Sequence, residues 1–136
     1  MSKAIPSIQK WMSTSPFAIE RTETLEAAHR IMRKEGIRHL PVLDGGKLTG
    51  IVTERDLHLI ETLKDVDPRV VKVEDAMTTH PYFVSPDARI DEVVSEMAEH
   101  KYGAAVVMEN EKVVGMFTTV DAMRAFNELL HGRLAN

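Results

Sequence analysis

The 136-residue chain contains no cysteine. Disulfides and thiolate metal sites are therefore excluded. A basic excess is also missing: 17 Lys and Arg stand against 21 Asp and Glu, for a formal charge of −4. That balance leaves no basic footprint for nucleic acid. No uncharged apolar run approaches membrane-spanning length. The opening Met1-Ser2-Lys3-Ala4-Ile5-Pro6 lacks the apolar core that a signal peptide needs. His29, His39, His58, His80, His100 and His131 show no paired ligand spacing, so no metal site is expected. There is no Ser-His-Asp grouping, no Walker-type loop, and no paired metal carboxylates beside Asp56 or Asp121, which argues against an enzyme. The expectation is a soluble cytoplasmic protein, with neither nucleic acid nor membrane as partner.

What the sequence does have is a repeat. Gly50-Ile51-Val52-Thr53-Glu54-Arg55-Asp56 returns 65 residues later as Gly115-Met116-Phe117-Thr118-Thr119-Val120-Asp121. The same offset aligns positions 8–57 with 73–122 without a gap, through pairs such as Met12/Met77, Pro16/Pro81, Met32/Met97, Val42/Val107 and Lys47/Lys112. Two copies of one supersecondary unit are the economical reading, with copy one at 1–66 and copy two at 67–136. Asp67-Pro68 marks the linker. A composition 43% hydrophobic and 28% charged suits one compact domain or two small ones sharing a core.

Each copy reads as β-α-β-β-α. In copy one, Ile8 to Met12 forms a helical turn, which Pro16 ends before a strand at Phe17 to Ile19. Thr22 serves as N-cap of a helix burying Leu25, Ala28, Ile31 and Met32, and Gly36 stops it. A hairpin follows, Leu40 to Leu43 and Leu48 to Val52, turned by Asp44-Gly45-Gly46-Lys47. Thr53 opens a helix to about Lys64. Copy two repeats the plan, with a turn at Val73 to Met77 and a strand at Tyr82 to Val84. Its first helix, capped by Asp87, covers Ile90, Val93, Val94 and Met97. Its hairpin is Ala104 to Met108 with Val113 to Phe117, and a last helix from Thr119 runs through Met123, Phe126, Leu129 and Leu130. The tail from His131 frays. The fold class is α+β: three-stranded sheets, each with helices on one side, bury their other faces on each other about a pseudo-twofold axis.

The duplicated segment carries the candidate chemistry. Thr-x-x-Asp at a helix start makes threonine the N-cap and aspartate the third helical residue. The glycine before it lets a ligand or another backbone come close. Unpaired N–H groups and the dipole at a helix start suit a phosphate. The carboxylate's two acceptor oxygens suit neighbouring hydroxyls. Hydroxyl, amides and carboxylate together fit a phosphorylated ribose. An ordinary capping box uses the same residues, and it is the duplication that favours a ligand. Met32, Met97, Met108, Met116 and Met123 fall on apolar positions and read as core filler. Trp11 lies opposite Ala76 and either packs the N-terminal segment or anchors a partner chain.

Taken together, these residues resemble a tandem pair of cystathionine-β-synthase (CBS) domains, a Bateman module. Gly-h-x-Thr-x-x-Asp near the end of each copy is similar to the family's ligand motif. Met-Ser-Thr-Ser-Pro at 12–16 and Met-Thr-Thr-His-Pro at 77–81 resemble its opening, and Ile37-Arg38-His39-Leu40-Pro41-Val42 its middle strand. The resemblance implies a regulatory, energy-sensing module without a required cofactor, binding AMP, ADP, ATP, S-adenosylmethionine or an NAD-type ligand between the copies. It implies one cleft of Thr118 and Asp121 with Phe17, Ala18, Ile19, Arg38 and His39. The other would hold Thr53 and Asp56 with Tyr82, Phe83 and Val84, and there Gly103 and Ala104 replace the Arg-His pair while Arg55 compensates. Ile51 and Met116 would touch the adenine. The family also implies a homodimer through the helices, where Leu57, Ile60, Met123 and Phe126 are either candidate contacts or intramolecular core, and an effector protein on another chain. A ligand-free scaffold and a nucleotide-processing enzyme are the alternatives.

Overall fold

The computed structural model describes residues 4–14 and 17–134. The expectation placed on Pro16 lies outside them. A 3-10 turn at Ile8–Lys10 is followed by β1 (Ile19–Glu20), α1 (Leu25–Glu35), β2 (His39–Asp44), β3 (Lys47–Thr53) and α2 (Glu54–Glu61). A second 3-10 turn at Val73–Asp75 leads to β4 (Thr78–Thr79), β5 (Phe83–Val84), α3 (Ile90–His100), β6 (Ala104–Glu109), β7 (Lys112–Thr118) and α4 (Thr119–Leu134). The strands form two sheets, ordered β1-β2-β3-β4 and β5-β6-β7. The chain is α+β, as the repeat implies.

Several boundaries differ from the sequence reading, each for a local reason. The N-cap of α1 is Thr24, whose hydroxyl accepts from the Ala27 amide at 3.2 Å, and not Thr22. Thr22 lies inside a turn closed by the Glu23 amide on the Glu20 carbonyl. Asp87 does not cap α3 either. Its carboxylate takes the Ser85 hydroxyl, and Arg89 holds the cap position without a side-chain bond. The first strands begin later than expected, with Phe17, Ala18 and Tyr82 outside them. α2 stops at Glu61 rather than Lys64, since the Thr62 and Leu63 amides already turn back to Leu59 and Ile60. The tail that should fray from His131 is instead helical to Leu134.

Both hairpins turn through two residues with positive φ, the geometry that matches strand twist. In the first these are Gly45 (φ 57°) and Gly46 (φ 90°). In the second they are Asn110 (φ 53°) and Glu111 (φ 64°), so a non-glycine pair carries the same turn. β2 and β3 run antiparallel, with His39 opposite Thr53. β1 lies parallel to β2, and β5 to β6.

The chain forms two compact units that are discontinuous in sequence. One takes the described residues of Met1–Pro16 with Tyr82–Asn110 and Val114–Asn136; the other takes Phe17–Pro81 and Glu111–Val113. Ile8 and Trp11, from the start of the chain, are buried with Val93, Met97, Val107 and Phe117 of copy two. Trp11 donates its indole N–H to Glu128 at 2.5 Å, so it packs its own segment. Val73, in turn, is buried with Leu25, Leu40, Val52 and Leu57 of copy one. The repeat and the compact unit thus cut the chain differently. Leu57, for which dimer contact and intramolecular core were both open, is fully buried core.

Candidate functional site

The duplicated segments adopt the expected strand-to-helix turn. Thr53 caps α2: its hydroxyl accepts from the Asp56 amide at 3.0 Å, and Asp56 Oδ2 accepts from the Thr53 amide at 3.0 Å. Thr118 and Asp121 repeat this at α4, with an amide-to-Oδ2 distance of 2.9 Å and an amide-to-hydroxyl distance of 3.3 Å. Asp121 carries two further bonds. The Thr118 hydroxyl donates to Oδ2 at 3.1 Å, and Arg124 donates to Oδ1 at 3.2 Å. Asp121 is the one buried charged residue among those described, while Asp56 is half-buried.

The glycine ahead of each turn admits a neighbouring backbone. A Cβ on Gly50 would sit 2.7 Å from the Thr78 carbonyl oxygen, and one on Gly115 would sit 2.3 Å from that of Ser13. These neighbours belong to β4, which pairs with Gly50 and Ile51, and to the bridge of Ser13 with Met116. Sequence reasoning missed both pairings because two residues are too few for a periodic signal.

Arg38 and His39 come to the Thr53 start. The Glu54 amide, at the first position of α2, donates to the Arg38 carbonyl at 2.9 Å, and His39 faces Thr53 across the β2–β3 ladder. Burial pushes His39 below the ordinary imidazole value; the Asp56 charge opposes the shift and Arg38 adds to it. Arg38 and Arg55 are exposed and make no ion pair among the described residues. One compact unit therefore groups Thr53, Asp56, Arg55, Arg38 and His39. Thr118, Asp121 and Met116 belong to the other unit. There the Thr119 amide bonds the Gly103 carbonyl at 3.0 Å, with Ala104 opening β6 where His39 opens β2.

Of the apolar candidates, Ile19 and Met116 are buried, Ile51 and Ala18 are half-buried, and Phe17 and Phe83 are exposed. Tyr82 and Val84 line an open cavity of about 590 Å³ with Ala88, Glu92 and Glu96 among its walls. Burial raises the Tyr82 hydroxyl pKa, and Glu96, Tyr102 and Glu92 reinforce the shift. Among the described residues one group, Glu96, Glu99 and His100, brings three candidate metal-ligating atoms within 4.8 Å, all on exposed side chains.

Residues 7–59 and 73–128 each match the family model of the CBS domain. The chain belongs to the CBS domain family. It is 33% identical to an inosine-5′-monophosphate dehydrogenase of Korarchaeum cryptofilum over 122 residues, 89% of this chain and 24% of that protein. Over 92 residues it is 38% identical to the uncharacterized protein YlbB of Bacillus subtilis, covering 66% of this chain and 62% of YlbB. The chain thus spans less than two thirds of either relative. The CBS domain pair of protein MJ0100, solved with 5′-methylthioadenosine and S-adenosyl-L-methionine, superposes with a TM-score of 0.83. That match is 26% identical and covers 93% of this chain and 99% of the other. The fold is that of a tandem CBS pair. Each CBS copy contributes one Thr/Asp helix start, and the copies differ in the charges around it.

Proposed function

We propose that this CBS pair is a non-catalytic regulatory module that binds an adenosine compound at its Thr/Asp helix starts and signals to a partner protein. The observation that carries this reading is the grouping at α2. Among the described residues Asp56 accepts one hydrogen bond, from the Thr53 amide, and a carboxylate has about four acceptor positions. Both hydroxyls of a ribose therefore find open acceptors. Arg38, Arg55 and the dipole at the start of α2 supply the positive field that a phosphate needs. We assign AMP, ADP or ATP to this start, because Arg38 and His39 lie in its own compact unit, whereas the family resemblance groups that pair with Thr118 and Asp121; S-adenosylmethionine and NAD-type molecules are the other candidates. The MJ0100 pair, which holds two adenosine compounds, supports the class of ligand. For the adenine we retain the residues the family resemblance names: Phe17, Ala18, Ile19 and Met116, and Ile51 with Tyr82, Phe83 and Val84.

We assign the oligomer to a homodimer. On α4, Val120, Met123, Phe126 and Leu130 are exposed at helical spacing, and on α2 so is Leu59. An apolar stripe of this kind marks an interaction surface. The expected setting is the cytoplasm.

Calorimetric titration with AMP, ADP, ATP, NAD, S-adenosylmethionine and adenosine tests the reading, with nucleotide turnover followed in parallel. Saturable binding of at least one compound, tighter for a phosphorylated form than for adenosine and without turnover, is expected. Turnover of ATP would establish an enzyme instead. Absence of binding by all six would leave a scaffold.

A further inference from the structure

We propose that Arg124 is a latch on Asp121 that makes the second helix start a weaker nucleoside site than the first. This inference rests on the adenosine reading above. The two starts coincide in their capping bonds and differ in what else holds the carboxylate. Asp121 accepts three hydrogen bonds besides any ligand: two on Oδ2, from the Thr118 amide and hydroxyl, and one on Oδ1, from Arg124 at 3.2 Å. Against about four acceptor positions on a carboxylate, about one remains open. Asp56 accepts one such bond among the described residues, which leaves about three positions open. A ribose diol donates two. Asp56 can take both without loss, whereas Asp121 can take both only when Arg124 lets go.

The asymmetry is written in the sequence at one position. Arg124 sits three residues after Asp121 on α4, where spacing brings the two side chains together. The residue at the equivalent place in copy one is Leu59, which has no donor and lies exposed on α2. The side chain of Arg124 is 59% exposed and that of Asp121 is 12% exposed. The guanidinium is therefore free to leave into water while the carboxylate stays in place. A contact of this exposure is weak, and its release is a matter of a few-fold in affinity. The latch is electrostatic, so salt loosens it.

Adenosine is the probe, because it is uncharged and its binding responds to salt only through protein charges such as this pair. In an Asp56→Asn background, which weakens the first start, Arg124→Leu is expected to tighten adenosine binding about two- to fivefold. Arg124→Ala, a small variant without a donor for the case in which the leucine aggregates, is expected to do the same. With arginine in place the affinity rises with salt between 20 and 300 mM; without it the salt dependence flattens. Unchanged or weaker binding in both Arg124 variants, where adenosine still binds the wild type, overturns the latch alone. Absence of adenosine binding in every variant and in the wild type removes the site reading and this proposal with it.

Discussion

A capping box is legible because its partners lie three residues apart, so Thr53 with Asp56 and Thr118 with Asp121 could be named from spacing alone. The neighbours of a box cannot be, because they arrive through strand register. Arg38 and His39 reach Thr53 only because β2 pairs with β3 so that His39 faces Thr53. Arg124 was missed for another reason: an i, i+3 pair is common on any helix and says nothing until the competing bonds on Asp121 are counted. His39 gives a prediction at this scale. Its folded value is lowered by burial from the 6.5 of a free imidazole, so it is neutral at pH 7. Its contribution to stability is present above that value and is lost as pH falls through the folded value. A bound phosphate favours the imidazolium, so binding takes up a proton. As pH falls toward the folded value of His39, wild type should therefore hold AMP better than His39→Gln does, with adenosine nearly unaffected in both. Equal pH dependence of AMP affinity for His39→Gln and wild type in calorimetry would remove His39 from the phosphate.

The elements were largely readable because each combines a period with punctuation. α1 and α3 announce themselves by buried Leu25, Ala28 and Met32, and by Ile90, Val93 and Met97. The first hairpin announces itself by Gly45-Gly46. Their ends were not readable where two candidate caps compete: Thr24 wins over Thr22 because the backbone at Glu20–Glu23 is already committed to a turn. β4 was invisible, and with it the meaning of the motif glycines. The sequence allowed a ligand or a backbone beside them, and the structure places a backbone there. Gly115→Ala should then lower stability by about 1–3 kcal/mol, since a Cβ 2.3 Å from the Ser13 carbonyl oxygen forces the segment to move. Chemical denaturation checks this. Stability equal to wild type with unchanged m-value would mean the pairing at Ser13 yields at no cost. Gly45 has open space around its Cβ direction but a φ of 57°, so its replacement strains the turn for a different reason.

At the scale of the molecule the repeat told of two similar halves but not which segments pack together. Ile8 and Trp11 of the first copy lie in the core of the second, and Val73 of the second in the core of the first. Periodicity cannot reveal such an exchange, because an apolar residue looks the same whichever core receives it. The exposed stripe of α4 belongs to this scale as well. The charge-bearing double variant Met123→Glu with Phe126→Glu should convert a homodimer to monomer, because both side chains are mostly exposed and neither fills the core. Analytical ultracentrifugation at micromolar concentration decides it, and a wild-type monomer there would contradict the dimer.

We propose that Thr53, Asp56, Arg38 and His39 form the primary site for a phosphorylated adenosine compound. The most direct measurement is calorimetric titration of AMP and adenosine into wild type, Asp56→Asn, Asp121→Asn and Arg38→Ala. Asparagine keeps the size and one acceptor for the Thr53 amide but loses the charge, so Asp56→Asn should weaken both ligands by about 1.5–3 kcal/mol, roughly 10- to 150-fold, and melt almost normally. Arg38→Ala should weaken AMP and leave adenosine nearly unchanged. Asp121→Asn should matter less than Asp56→Asn for AMP. Wild-type affinity in Asp56→Asn together with lost AMP binding in Asp121→Asn would contradict the account and move the primary site to the other copy.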